Sequence, residues 1–221
     1  MLAAGRGERM GALTEARPKP LLEVAGASLI EHQIGRLVAA GLTEVVVNLA
    51  YRGAQIRDRL VDGAHLGASV RYSEEGSRAL GTGGGIRRAL PLLGSEPFLV
   101  VNADVWTDYP FARLAAVRPK GLAHLVLVDN PPHVLEGDYV LSSGRVRRGD
   151  GPRLTYSGIG VFRPGLFSDL PDGVHVSLVP RLDEAAAAGL VSGERWGGTW
   201  LDIGTPERLE ALRGARLGED R

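Results

Sequence analysis

The sequence predicts an α/β fold: a mixed but mostly parallel sheet with helices on both faces, followed by a small antiparallel lobe. Three observations predict it. Through the first 128 residues, apolar β-rich runs alternate with segments of helical apolar spacing, which implies strand–helix–strand crossovers. Beyond Asp129 the runs alternate around glycine-rich turns, which implies antiparallel pairing. The chain has 221 residues, 44% of them hydrophobic and 24% charged, enough for one domain with a full core. The expected domain therefore spans 1–221, with 1–128 and 129–221 as its two halves.

The elements follow in order. Met1–Ala4 is an apolar strand stub running into a loop with glycines at 5, 7 and 11. Strands typically need about five or six residues, so the natural chain is expected to begin a few residues before Met1. Ser28–Ala40 reads as a helix, with a Ser28-x-x-Glu31 capping box, Ile30, Ile34, Leu37 and Val38 on one face, and Gly41 as a stop. Glu44–Leu49, Ala68–Tyr72, Pro97–Asn102 and Leu122–Val128 read as strands, Arg52–Val61 and Gly85–Leu93 as the helices among them. Together these make a Rossmann-like arrangement. Leu135–Arg148 and Leu154–Phe162 are the antiparallel runs, followed by a helix at Leu178–Ala188 and a last strand at Gly198–Ile203. Thr205 is a good N-cap and Pro206 fits the first position of a C-terminal helix.

Composition removes several function classes. The 26 Lys+Arg balance 26 Asp+Glu and form no basic block, so there is no electrostatic footprint for a nucleic acid polymer. Without cysteine there is no thiol nucleophile, disulfide or cysteine zinc site. No apolar run approaches membrane-spanning length, so no membrane partner is expected and the cytoplasm is the default location. Nothing in the sequence sets an oligomeric state.

The N-terminal loop points to phosphate. Gly5 and Gly7 let the backbone turn sharply and bring N–H groups against an anion, while Arg9 and Lys19 add a planar fork and a point charge. The glycine spacing does not fit G-x-G-x-x-G, and no Gly-Lys pair exists for a Walker loop. An ordinary strand-to-helix turn is the plainer alternative. Against it, Lys19 lies between two prolines and is one of two lysines, Lys120 being the other, in a chain that otherwise writes positive charge as Arg.

Two carboxylates stand where open α/β sheets bind ligands, beyond the carboxyl ends of strands: Asp104 after Phe98–Asn102, and Asp202 in Thr199–Asp202. Each alone also suits a turn or cap; together they suit one Mg²⁺, which takes hard oxygen ligands and keeps waters and substrate phosphates. Leu80–Gly85 is a second glycine cluster before a helix, read either as a flexible turn or as backbone that approaches a flat base closely. Asn130, Gly137, Asp138, Ser157 and Gly158 are suitable partners for sugar hydroxyls, although loops use such residues everywhere. The histidines at 32, 65, 124, 133 and 175 form no ligand spacing, and His133, beside these loops, is the one worth testing. Ser157 lies in no G-x-S-x-G elbow, so no hydrolase nucleophile is read there.

Leu2-Ala-Ala-Gly-Arg-Gly-Glu-Arg-Met10 with Pro18-Lys-Pro-Leu21 resembles the L-A-A-G-x-G-x-R-M…P-K-P-L signature of sugar-1-phosphate nucleotidylyltransferases. Asn102-Ala-Asp104 resembles that family's N-[GA]-D, and Trp200-Leu-Asp-Ile-Gly-Thr205 its W-x-D-[IV]-G-T. The resemblance implies that Leu2, Ala3, Ala4, Gly5, Gly7, Arg9, Lys19, Gly81, Thr82 and Asn102 bind a nucleoside triphosphate. It implies that Asp104 and Asp202 hold Mg²⁺, and that Arg9, Lys19 and Asp104 carry catalysis. Glu74 or Glu75 would accept from a base N–H. The second half would then be a sugar-binding lobe, with Asn130, Gly137, Asp138, Ser157 and Gly158 against a sugar-1-phosphate.

Four stretches, 102–109, 124–131, 137–139 and 156–162, are most similar to a branch of that family using UTP and N-acetylmuramate-1-phosphate in bacterial cell-wall recycling. Leu80-Gly81 departs from the Leu-Glu more usual there, which leaves base and sugar preference open. GTP with mannose-1-phosphate, or dTTP with glucose-1-phosphate, is the alternative pairing. A non-catalytic nucleotide-sensing subunit and a plain Rossmann-like cofactor binder are alternatives of other kinds. The retained Arg9, Lys19, Asp104 and Asp202 argue against the first of these and the off-spaced glycines against the second.

Overall fold

The computed structural model describes residues 1–76 and 78–219. A small hairpin, β1 (Glu23–Val24) and β2 (Ala27–Ser28), leads into α1 (Leu29–Ala39), β3 (Glu44–Leu49), α2 (Gly53–Leu60), β4 (Ser69–Glu74) and α3 (Gly81–Leu93). There follow β5 (Phe98–Val101), β6 (Val105–Thr107), the short α4 (Ala112–Ala115) and β7 (Ala123–Val128). The second half holds β8 (Tyr139–Ser142), β9 (Arg145–Arg147), β10 (Arg153–Phe162), α5 (Leu178–Ala187), β11 (Val191–Trp196), β12 (Trp200–Asp202) and α6 (Pro206–Glu219).

Six strands pair in the order β5-β10-β7-β11-β9-β8, while β3 pairs with β4 in parallel. Residues 1–3 join the two sheets. Leu2 bridges in parallel to both Asn48 and Asn102; its N–H donates to the Val101 carbonyl at 2.9 Å, and its carbonyl accepts from Ala103 at 3.0 Å. On the other side Asn48 N–H donates to the Met1 carbonyl at 3.2 Å. The glycine-rich loop therefore leaves the sheet at the carboxyl ends of β3 and β5. It does so in the middle of the molecule.

The mostly parallel reading holds for direction: β4, β3, the Leu2 segment, β5, β7 and β11 run the same way. What differs is β10, which lies antiparallel between β5 and β7 rather than in a separate lobe. The reason is its two apolar faces. Ile159 and Val161 enter one core layer and Phe162 the other, so this strand needs cover on both sides. The antiparallel lobe is β8, β9 and the start of β10, where Arg153 pairs with Val140.

Two core layers cover the two faces. Ile30, Ile34 and Leu37 of α1, with Ile56 and Leu60 of α2, pack on Val47, Val101, Val126 and Ile159. Ile86 of α3 and Leu178, Leu182 and Ala185 of α5 pack on Val100, Leu125, Leu127 and Phe162. A third cluster, including Met10, Leu22, Trp106, Ile203, Leu209 and Leu212, fastens α6 beneath the segment after the glycine-rich loop. Local signals set several helix starts. Ser28 and Glu31 form the reciprocal capping box, and Thr205 Oγ1 accepts from the Arg208 N–H at 3.5 Å. No helix among the described residues is long and apolar enough to cross a membrane.

The start of α3 corrects the sequence reading. The helix begins at Gly81, not Gly85, so the glycine cluster is its first turn. Leu80 offers no side-chain cap; instead Gly83 and Gly84 donate to the Val176 carbonyl at 2.9 and 3.2 Å, and Val176 N–H donates back to Leu80. A segment from the second half thus satisfies the free donors of this helix end. It comes close enough that a Cβ on Gly83 would lie 3.1 Å from the Val176 oxygen, and one on Gly84 would strike the Val174 oxygen. Gly84→Ala is expected to cost about 1–3 kcal/mol, the range of overpacked sites. Urea denaturation checks it, and an unchanged midpoint would refute the clasp.

Candidate functional site

One pocket opens where the Leu2 segment, β3, β5 and α3 meet. Its lining includes Leu2, Ala3, Ala4, Gly5, Gly7, Lys19, Gly81, Thr82, Asn102 and Asp104, drawn from four separate stretches of chain. These are the nucleotide-binding residues expected from the sequence, except Arg9, together with the first aspartate. Gly7 has a φ of +68° and packs closely against Lys19, whose Cβ would lie 3.1 Å from an added Cβ. The Lys19 side chain is 10% exposed and its ammonium pairs with Asp104 Oδ2. Loop, lysine and aspartate form one charged edge.

The second aspartate arrives by strand pairing. In the β6–β12 ladder Asp202 lies opposite Val105, and the Ile203 N–H donates to the Asp104 carbonyl at 2.9 Å. Adjacent positions on paired strands thus carry the two carboxylates. Arg208, in the first turn of α6, donates to Asp202 Oδ2 and, at 3.1 Å, to its backbone carbonyl. Asp202 Oδ1 is buried without a hydrogen-bond partner, and His133 Nε2 stands 3.3 Å away. A buried carboxylate oxygen with no hydrogen bond and only an imidazole nitrogen nearby fits a cation, and a pair of hard oxygen donors fits one that keeps waters and phosphate oxygens as its other ligands.

Arg9 lies on this side of the site, not in the pocket lining. Its Nη2 would be 3.0 Å from a Cβ on Gly204, with Arg208 and Asp202 each 3.2 Å from the same point. Gly204 is what allows two guanidinium groups to approach one carboxylate. Arg9 thus lies beside Asp202, whereas Lys19 pairs with Asp104.

The Gly81–Thr82 side of the pocket rests on a buried network that includes one of the two glutamates expected there. Glu74 is exposed and pairs with Arg57, whereas Glu75 is buried and borders the pocket. Glu75 Oε1 accepts from Asn48 Nδ2, and Oε2 accepts from the Leu80 N–H at 2.6 Å. Asn48 Oδ1 in turn accepts from the Ala3 N–H at 2.7 Å. Burial pushes the Glu75 carboxyl above its ordinary value, against the pull of the Leu80 and Asn48 hydrogen bonds and of the Arg88 and His175 charges. Asn48 was not expected from sequence, nor was Arg208. The apolar run Glu44–Leu49, with an Asn near its end, was the available signal for the first.

The expected sugar residues separate into two groups. The Gly158 carbonyl accepts from Asn102 N–H at 3.2 Å, and the Ser157 carbonyl accepts from Trp200 Nε1 at 2.9 Å, so this turn joins the pocket floor to the Asp202 strand. The Ser157 hydroxyl is buried, donating to Val126 at 2.7 Å and accepting from Ile159 at 3.2 Å. Asn130 bonds to Thr155 and Arg153, and Asp138 Oδ2 accepts from Tyr156 N–H at 2.8 Å. Asn130 and Gly137 line a separate hollow with Gly151 and Arg153. These side chains fasten the loop 129–138 to β10, and that loop carries His133 to Asp202.

Residues 1–139 match the family model described as nucleotidyl transferase. The chain is similar to N-acetylmuramate alpha-1-phosphate uridylyltransferase of Neisseria meningitidis serogroup B, at 48% identity over 97% of each chain. It is also similar to the protein of that name from Caulobacter vibrioides, at 39% identity over 99% of this chain and 96% of that one. The solved structure of HddC from Yersinia pseudotuberculosis complexed with GMP-PN superposes with a TM-score of 0.80 at 20% identity, covering 97% of both chains. At that identity the likeness is one of fold.

Proposed function

The chain belongs to the nucleotidyl transferase family, and from this premise we propose that it transfers UMP from UTP to N-acetylmuramate-1-phosphate in cell-wall recycling. The products are pyrophosphate and the UDP-sugar. The observation that carries the reading is the convergence of the Gly5–Gly7 loop, Lys19 and Asp104 with Gly81–Thr82 in one pocket, while strand pairing sets Asp202 beside Asp104 just outside its lining. One pocket thereby offers a phosphate end and a base end.

In the reaction a phosphate oxygen of the sugar phosphate attacks the α-phosphorus of the nucleotide, and the bond to the departing pyrophosphate breaks. That oxygen is already anionic near neutral pH, so no general base and no covalent intermediate on the protein is required. Catalysis rests on alignment and on neutralising charge. Mg²⁺, held by Asp104 and Asp202, would supply charge neutralisation at the phosphate oxygens. Lys19 orients Asp104 and faces the α-phosphate. Arg9 faces the pyrophosphate with a fork of N–H donors suited to phosphate oxygens. Gly81 and Thr82 meet the base, and Glu75 is an acceptor on that side. The sugar lies on the lobe side of the aspartates, against the Gly158 turn and the loop 129–138, which Asn130, Asp138 and Ser157 hold in place.

The test is a pyrophosphate-release assay of UTP, dTTP, GTP and CTP against several sugar-1-phosphates with Mg²⁺. UTP with N-acetylmuramate-1-phosphate should give the highest kcat/KM. A higher value for GTP with mannose-1-phosphate, or for dTTP with glucose-1-phosphate, would replace the substrate assignment. Absence of turnover with every pair would overturn the catalytic reading itself.

A further inference from the structure

The Asn48–Glu75 pair lies beneath both ends of the pocket at once. Asn48 and Glu75 are each only 5% exposed. From Asn48 the hydrogen bonds run to the Ala3 N–H, at the root of the phosphate loop; from Glu75 they run to the Leu80 N–H, immediately before Gly81. The polarity of the chain is fixed. Asn48 must present its oxygen to Ala3, so its amide nitrogen faces Glu75, and Glu75 must accept twice. Helix α3 leaves room for this at one point. A Cβ on Gly85 would strike Glu75 Oε1 and lie 2.7 Å from Asn48 Nδ2.

We propose that Asn48 and Glu75 form a positioning unit that couples the phosphate loop to the base platform, so that the two subsites hold their geometry together. The proposal rests on the nucleotide reading of the pocket and assigns the pair a role beyond contact with the base. Breaking the link at either residue therefore disturbs both subsites, including the one that residue does not touch.

The polarity gives a test by exchange. Glu75→Gln leaves one of two N–H donors facing an amide nitrogen. Asn48→Asp keeps the acceptor for Ala3 but sets two carboxylates against each other. The double variant, Asn48→Asp with Glu75→Gln, remakes the central hydrogen bond in reverse at the same net charge. The carboxylate now at position 48 accepts from the Ala3 N–H and from the amide now at position 75. The oxygen of that amide accepts from the Leu80 N–H. Binding of UTP and of inorganic tripolyphosphate, which has no base, is measured by calorimetry with Mg²⁺ at pH 8. Thermal midpoints are read alongside.

Each single variant should weaken tripolyphosphate as well as UTP by about tenfold, the size expected when a buried donor loses its acceptor in Glu75→Gln or when two buried carboxylates are opposed in Asn48→Asp. The double variant should recover most of both affinities. If Glu75→Gln weakens UTP but leaves tripolyphosphate unchanged, Glu75 serves the base alone and the coupling is wrong. A double variant no better than the poorer single overturns it too. If a single variant fails to fold, Gly85→Ala replaces it, since it disturbs the same link with both partners present; unchanged tripolyphosphate affinity there would overturn the proposal. Failure of the unaltered protein to bind UTP would instead refute the nucleotide reading.

Discussion

Asp104→Asn is expected to lower kcat about 10²–10³-fold while the protein stays folded, a loss of about 2.7–4 kcal/mol in the range for removing one preorganised electrostatic contact. The fold should survive because Asp104 contributes its backbone carbonyl to the β6–β12 ladder through Ile203 N–H, and asparagine keeps that carbonyl. What is lost is charge. Lys19 loses the carboxylate it pairs with, and one of the two carboxylates proposed to hold Mg²⁺ becomes neutral. Steady-state pyrophosphate release, with circular dichroism as the control for folding, checks both halves. Near-normal turnover would remove Asp104 from the mechanism.

Arg9→Ala is the second large effect, again about 10²–10³-fold in kcat. The Arg9 side chain is exposed, and the neighbouring Met10 anchors the segment in the cluster beneath α6, so truncation at Arg9 leaves the loop fastened. Arg9→Lys should recover part of the loss, because it restores the charge but not the planar fork. Equal activity of Arg9→Ala and the unaltered enzyme would remove Arg9 from the mechanism. Single-turnover kinetics separate this from slower product release.

Those parts of the proposed site that rest on backbone permissiveness and local charge were legible in the sequence. The Gly5–Gly7 loop, Lys19 between two prolines, and an aspartate at the end of each of two strands could all be read directly. So could the Ser28 and Thr205 caps, because a cap bonds to its own helix within three residues. Asn48 and Glu75 were less legible because their partners lie 45 and 27 residues apart in the chain. Glu74 and Glu75 are alike as letters. Burial beside Asn48, against exposure beside Arg57, tells them apart.

The same distinction explains the second half. Asn130, Asp138 and Ser157 have the chemistry to meet sugar hydroxyls, and tertiary structure also gives each of them a bond that fastens β10 or its neighbours. The glycine cluster at 81–85 looked like one device and is several: Gly83 and Gly84 admit the Val174–Val176 backbone, and Gly85 makes room for the buried pair. By itself the sequence determined the α/β order, the glycine-rich loop and the positions of the two aspartates, since each depends on residues close together in the chain. Only the tertiary structure decided that β10 enters the central sheet, that Arg208 holds Asp202, and that Asn48 and Glu75 connect the two ends of the pocket. Those depend on which distant groups meet once burial leaves each polar atom in need of a partner.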